Sequence, residues 1–235
     1  MKDDVLYQSG CAGKSDRIAL YSMRTGSLIA KKRKHLIYNG IKRFFDVILS
    51  AFAIGVLLPL LLIVSIAVKL DSTGPAIYMQ KRAGKGRTSF TMYKFRSMCE
   101  DADQLRENLQ DQNECDGPVF KIVRDPRVTR VGKFLRKTSL DELPQLFNII
   151  KGDMSIVGPR PPLLSEVEQY TPYQMHRLDT KPGLTCYWQI SGRSNIGFEK
   201  WVELDMKYIE ERSLWTDLKI ILKTVPAVLF ERGAY

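Results

Sequence analysis

The chain has 235 residues, 44% hydrophobic and 26% charged, which is long enough to bury a core and too apolar for a disordered chain. Four cysteines (Cys11, Cys99, Cys115, Cys186) are too sparse for a disulfide scaffold and lack the C-x-x-C spacing of structural zinc, so they read as reduced thiols in a reducing compartment. The net charge of +10 is uneven: residues 1–70 carry +7, 71–98 carry +5 and 99–235 carry −2. A nucleic-acid groove would place its basic excess in the folded part. Here the excess flanks one apolar segment instead, which argues for an anionic phospholipid membrane as partner and against nucleic acid.

Residues 1–36 show no clear periodicity and read as a loosely packed arm ending in the run KKRK. Its GCAGKS is not a phosphate loop, because Gln8 stands where that loop needs its first glycine. From Val47 to Val68 there are 22 residues without a charge, about 33 Å as a straight helix and enough to cross a hydrocarbon core. Pro59 at its centre removes a backbone donor and presses on the carbonyl of Gly55, predicting a break into two arms each too short to cross. Basic residues lie on both sides, Lys31 to Lys34, Lys42 and Arg43 before it and Lys69, Lys81, Arg82, Lys85 and Arg87 after it. A single pass would leave one cluster on the outer face, whereas a re-entrant helix keeps both in the cytoplasm. A kinked single span is the alternative.

Ala76–Met98 mixes β-formers with glycine and predicts a short hairpin turning at AGKGR. Residues 100–116 are acidic and polar, a helix or an exposed loop. Asp125-Pro126 has the form of a helix start, and Arg124, Arg127, Arg130, Lys133 and Arg136 follow at every third position, a pattern usual for a solvated surface. Ser139-Leu-Asp141-Glu142 has the capping-box pattern, with Leu143, Leu146, Phe147 and Ile150 continuing as an apolar stripe. This predicts Asp141 and Glu142 in the first turn of an amphipathic helix, where acids also simply complement the helix dipole. Gly158-Pro-Arg-Pro-Pro162 is a stiff loop that would hold Arg160 outward. Two helices close the chain. The first carries Trp201, Leu204, Tyr208 and Ile209 on one face beside Asp205. In the second, Leu214, Trp215, Leu218, Ile221, Leu222 and Val225 form a stripe that suits a membrane surface or the domain core equally. With two histidines in the chain and His176 isolated, histidine-based catalysis or zinc binding is disfavoured.

In its ordered set of motifs the chain resembles the bacterial sugar transferase family, monotopic phosphoglycosyl transferases that start the assembly of lipid-linked glycans. The most specific stretch is RDPRVTRVGKFLRKTSLDELPQLFNIIKGDMSIVGPRP, from Arg124 to Pro161, with KRFFDVILS, YKFRSM, KPGLTCYWQISGR and ELDMKY around it in family order. The resemblance covers about Gly40 to Phe230, and its single apolar segment matches the family's short form. It implies transfer of sugar-1-phosphate from a UDP-sugar to a polyprenyl phosphate such as undecaprenyl phosphate, with release of UMP, through a covalent aspartyl-phosphosugar. Asp141 would be the nucleophile, Glu142 its partner, and Mg²⁺ would bridge the dyad and the diphosphate, with Asp141 as metal ligand. Arg136 is the candidate for the lipid phosphate. Lys94, Arg96, Arg160 with its flanking Pro159 and Pro161, and Arg193 are candidates for the nucleotide side, and Asp205 for metal or sugar. The re-entrant break maps to Pro59, preceded here by Leu58 and not by the serine frequent in the family.

These readings combine into an α-rich α/β monotopic membrane domain: an arm at 1–36, a re-entrant helix broken at Pro59 within 37–72, and a catalytic domain with a short β-hairpin and surface-lying amphipathic helices at 73–235. It would sit on the cytoplasmic face of the bacterial inner membrane. A membrane-anchored scaffold without chemistry is the rival reading. Sugar identity, glycan pathway and oligomeric state, a homo-oligomer included, are left open by the sequence.

Overall fold

The computed structural model describes the backbone of residues 14–192 and 196–230, and side chains from Leu36 to Val228 outside 193–195. The chain divides into two compact units, 1–43 and 44–235. Of the expected N-terminal arm, residues 1–13 lie outside the described residues, and the backbone from Lys14 is helical.

Helix α1 runs Lys14–Asp71, and its part from Leu36 to Asp71 is long and apolar enough to cross a membrane. The expected break at Pro59 does not form: the backbone stays helical through the proline. A single lost backbone donor bends a long helix without ending it when neighbouring turns keep their own bonds. One stripe of α1 faces the rest of the chain. Asp46 and Ser50 are buried, Ile54 and Leu57 pack inward, and Leu61, Val64 and Val68 are buried at the same three- and four-residue spacing. The opposite face leaves Leu49, Phe52, Val56, Ile63 and Ile66 exposed.

Strands β1 (Ile77–Ala83) and β2 (Ser89–Phe95) form the expected antiparallel hairpin, pairing Ile77 with Phe95 and Ala83 with Ser89. Gly86 at φ 66° allows the tight turn between them. The polar stretch that follows holds only the short helix α2 (Ala102–Glu107) and a 3₁₀ turn at Gln110–Gln112. Helix α3 (Arg130–Thr138) begins five residues after Asp125, a correction to the expected start. Thr129 is the true cap, its side chain accepting from the Gly132 amide at 3.0 Å. Asp125 instead folds back on Arg127, accepting from its amide and guanidinium, so Arg127 is a buried partner and not part of a solvated run.

The capping box expected at Ser139 is also corrected. Ser139 closes α3 in the left-handed region (φ 55°) and makes no side-chain cap bond, because the chain must reverse there before the 3₁₀ turn Leu140–Glu142. Helix α4 (Gln145–Lys151) then buries Leu146, Asn148 and Ile149, while Phe147 and Ile150 of the expected stripe face outward. Asn148 is fully buried because its amide substitutes for a third strand: Nδ2 donates to the Thr91 carbonyl at 2.7 Å and Oδ1 accepts from the Tyr93 amide at 2.9 Å.

Strand β3 (Ser155–Val157) pairs in parallel with β4 (Gly183–Thr185), with the one-turn helices α5 (Leu164–Val167) and α6 (Pro172–Met175) between them. Both closing helices form, α7 (Phe198–Glu211) and α8 (Leu214–Phe230). On α8 the apolar stripe points out: Trp215 and Leu222 are 62% and 63% exposed, while Asp217, Ile220 and Ala227 make the buried edge. The helix thus packs one edge on the domain core, Ile221 of the expected stripe included, and leaves the rest of that stripe exposed. The described cysteines Cys99, Cys115 and Cys186 are free thiols.

Candidate active site

The left-handed Ser139 turns the chain so that Leu140 and Leu143 pack against the Leu61, Val64, Val68, Phe95 and Leu135 cluster. Asp141 between them lines a cavity of about 650 Å³. A non-glycine residue in this region costs about 1–2 kcal/mol, a cost tolerated where the reversal is needed. Alternation along β2 puts Phe95 into that apolar cluster and Lys94 on the other face, where its Nζ meets Glu142 Oε1 at 2.8 Å. Asp141 is 7% exposed and has no cation at ion-pair distance among the described residues. Burial, opposed by Lys94 and reinforced by the Glu142 charge, pushes its carboxyl up to about 6. Arg136 reaches back from α3, its Nε donating to Ser97 Oγ at 2.9 Å, and burial lowers its guanidinium.

The Gly158–Pro162 loop forms another wall. Gly158 and Gly183 approach so closely that a Cβ on either would collide with the other's backbone. The Gly183 amide donates to the Pro159 carbonyl at 2.9 Å, the Arg82 guanidinium to the Pro161 carbonyl at 3.1 Å, and the Ala83 amide to the Pro162 carbonyl at 3.0 Å. With its backbone pinned from both sides, the loop presents Arg160 to the cavity, and the guanidinium lies 5.2 Å from the centre of the Trp201 ring.

Lys94, Arg96, Arg136, Asp141, Glu142, Arg160 and Pro161 thus share one cavity. Arg96 lines it while spending Nη2 on the Ser72 carbonyl at 2.7 Å, at the end of α1. Pro159 belongs to the loop but does not line the cavity. Asp205 is not brought there either: it is fully buried in α7, paired with Arg177 at 2.8 Å, and burial raises its carboxyl against the pull of that arginine. Arg193 lies outside the described residues.

No group of three or more potential metal ligands occurs among the described residues. The adjacent Asp141 and Glu142 carboxylates nevertheless fit a hard divalent ion such as Mg²⁺, which takes one or two carboxylates and completes its shell with phosphate oxygens and water. Burial raises Asp141 and the Glu142 charge adds to it, and such an ion would offset both.

A model of the family described as bacterial sugar transferase matches residues 37–231. The chain belongs to the bacterial sugar transferase family. Galactosyl transferase CpsE of Streptococcus agalactiae serotype III is 47% identical over 216 residues, which cover 91% of this chain and 47% of that protein. Exopolysaccharide production protein ExoY of Rhizobium meliloti is 43% identical over 198 residues, covering 83% and 88%. Undecaprenyl-phosphate galactose phosphotransferase of Salmonella typhimurium is 41% identical over 221 residues, covering 91% and 44%. The chain spans about half the length of the first and third of these relatives and most of ExoY.

In this member of the sugar transferase family, the sequence did not show the roles of several residues in and behind the cavity wall. Arg82 counted only as a flanking positive charge, yet it is buried and ties the hairpin to the proline loop. Arg177 sits in a stretch without a motif, and its meaning comes only from Asp205, 28 positions away. Trp188 stacks on Trp201 with ring centres 4.7 Å apart, a pairing that no local periodicity encodes.

Proposed function

We propose that the protein transfers sugar-1-phosphate from a UDP-sugar to a polyprenyl phosphate, releasing UMP, and so initiates a lipid-linked glycan. The observation that carries this reading is Asp141: a buried carboxylate with no ion pair among the described residues, beside a carboxylate–lysine pair, at the wall of a cavity rich in lysine and arginine. A cation-rich, partly desolvated cavity attracts a diphosphate and stabilises charge on its leaving group. Glu142 is occupied by Lys94, so Asp141 is the better nucleophile. Its carboxylate oxygen attacks the sugar-bearing phosphorus, the bond to the bridging oxygen breaks, and UMP leaves with the electron pair. The resulting aspartyl-phosphosugar is then attacked at the same phosphorus by an oxygen of the lipid phosphate. This forms the polyprenyl-diphosphate sugar and returns the carboxylate, a two-step sequence expected to be ping-pong. Mg²⁺, held by Asp141 and Glu142, would neutralise diphosphate charge when bound. Lys94 balances Glu142, Arg136 is assigned to the acceptor phosphate, and Arg160 to the donor diphosphate.

The membrane arrangement follows the same logic. Asp46 accepts from Ser155 Oγ at 2.8 Å and the Ile156 amide at 3.1 Å, and Asp71 accepts from the Val131 amide at 3.0 Å. Both ends of the apolar stretch are therefore held by one folded domain, which favours entry and exit on a single face over a span. In this reading the exposed faces of α1 and α8 meet lipid, and the basic flanks place the domain at the cytoplasmic face of the inner membrane. The relatives' names differ in the sugar, galactose in one and glucose in another, so the donor is tested as a panel. Incubation with each UDP-sugar, Mg²⁺ and undecaprenyl phosphate is expected to release UMP with at least one donor. No release with any of them would leave the scaffold reading standing.

A further inference from the structure

A fully buried ion pair lies behind the cavity. Arg177 and Asp205 are 2% and 0% exposed, and Arg177 donates from Nε to Asp205 Oδ2 at 2.9 Å and from Nη1 to the Tyr170 hydroxyl at 2.6 Å. Its guanidinium lies 5.3 Å from the Tyr170 ring centre, 5.7 Å from Phe198 and 5.1 Å from Trp201. A buried ion pair is a poor device for stability, since apolar side chains of equal volume generally do as well, so its geometry is the better guide to its role. That geometry is directional. Phe198 meets Trp201 edge to face at 6.0 Å, Trp188 stacks on Trp201, and the Arg160 guanidinium rests 5.2 Å from the same ring. Among the described residues Arg160 makes no ion pair, so this ring and the pinned loop are what hold it.

We propose that Asp205 is a positioning residue: through Arg177 it fixes the Trp201 ring, and Trp201 in turn holds the Arg160 guanidinium at the cavity wall for the donor's diphosphate. This replaces direct metal or sugar contact as the role of Asp205. A long arginine side chain loses much rotamer freedom on ordering, and an aromatic bed that orders it in advance removes that cost from substrate binding. The pair acts on a diphosphate common to every UDP-sugar, so it sets donor affinity without choosing the sugar.

This inference rests on the transferase reading and on Arg160 as a donor contact, and the experiment separates the two levels. UMP release by the unmodified full chain in detergent tests the reading. The inference is tested with Asp205→Asn, Trp201→Leu, Arg160→Lys and the Arg160→Lys/Trp201→Leu double variant. Asp205→Asn and Trp201→Leu are each expected to raise the donor KM roughly tenfold, about the loss of one charge-assisted hydrogen bond. The inhibition constant of UDP should rise in the same ratio, with the acceptor KM, sugar preference and Mg²⁺ half-saturation unchanged. In the Arg160→Lys background Trp201→Leu should add nothing further. Independent, multiplying effects of the two substitutions would overturn the proposal, as would a changed sugar preference or Mg²⁺ requirement in Asp205→Asn. If Asp205→Asn does not fold, the Trp201–Arg160 cycle decides the question alone.

Discussion

Two acid–base pairs in this molecule are built to opposite specifications. Lys94 and Glu142 meet at 2.8 Å with side chains 21% and 25% exposed, at the edge of a cavity and next to Asp141, which makes no ion pair among the described residues. Arg177 and Asp205 meet at the same distance, yet they are sealed from solvent among aromatic rings. The first arrangement leaves a carboxylate with a charge that is unfavourable where it stands. The second leaves no charge available to a ligand. Chemistry is to be sought at the half-satisfied pair, and architecture at the sealed one.

The largest effect that can break this contrast is on activity. Asp141→Asn is expected to abolish turnover, by about a thousandfold or more in UMP release, while raising stability. A carboxyl shifted from 3.8 to about 6 favours the protonated form in the folded state. Ionising it there costs up to about 3 kcal/mol, a cost absent below pH 4 and fully present above pH 6. At pH 7 the asparagine variant should therefore unfold several degrees higher in thermal melts, and its advantage should shrink as pH falls through 6 toward 4. An inactive variant that is also less stable would put Asp141 among the structural residues.

Next in size is the cost of opening the sealed pair. Arg177→Met leaves Asp205 buried without a partner and is expected to lose about 3–5 kcal/mol of stability in denaturant unfolding. A loss under 1 kcal/mol would show that the site relaxes easily and holds nothing in place.

The pH profile is subtler. The proposed nucleophile must be ionised, so kcat/KM should fall toward acid pH, with a limb that starts from about 6 for the metal-free carboxyl and moves lower as Mg²⁺ is raised. Lys94 pulls the Asp141 carboxyl down, so Lys94→Met should move that acid limb to higher pH. An unmoved limb would mean that another group titrates. The smallest effect is on stability at the open pair, where Glu142→Gln should change unfolding by less than about 1 kcal/mol because solvent screens the pair.

How much of this was legible in the sequence depended on whether the signal was local. The hairpin, the uncharged segment, the stiff proline loop and the two closing helices each follow from a few neighbouring residues, and each forms. Local rules failed where tertiary contacts overrode them. Asp125-Pro126 looks like a helix start, but Arg127 claims the aspartate and Thr129 caps the helix. Ser139 looks like a cap, but the chain needs a left-handed reversal there to bring Asp141 to the cavity. Pro59 looks like a break, but the helix runs through it. The acidic dyad and Lys94 were legible as motifs, but the pairing of Lys94 with Glu142 was not, since the sequence assigned that lysine to the nucleotide side. The burial of Asp205 was not, because its partner Arg177 is distant in sequence and unmarked by any pattern.

The central claim is that Asp141 carries the phosphosugar between donor and acceptor. It is tested most directly by mixing protein, Mg²⁺ and an active UDP-sugar without acceptor, quenching within the first turnover, and measuring the mass of the peptide containing Asp141. The account predicts a phosphosugar adduct on that side chain, formed in step with UMP and discharged when undecaprenyl phosphate is added. Full product formation with no adduct at any quench time would contradict it.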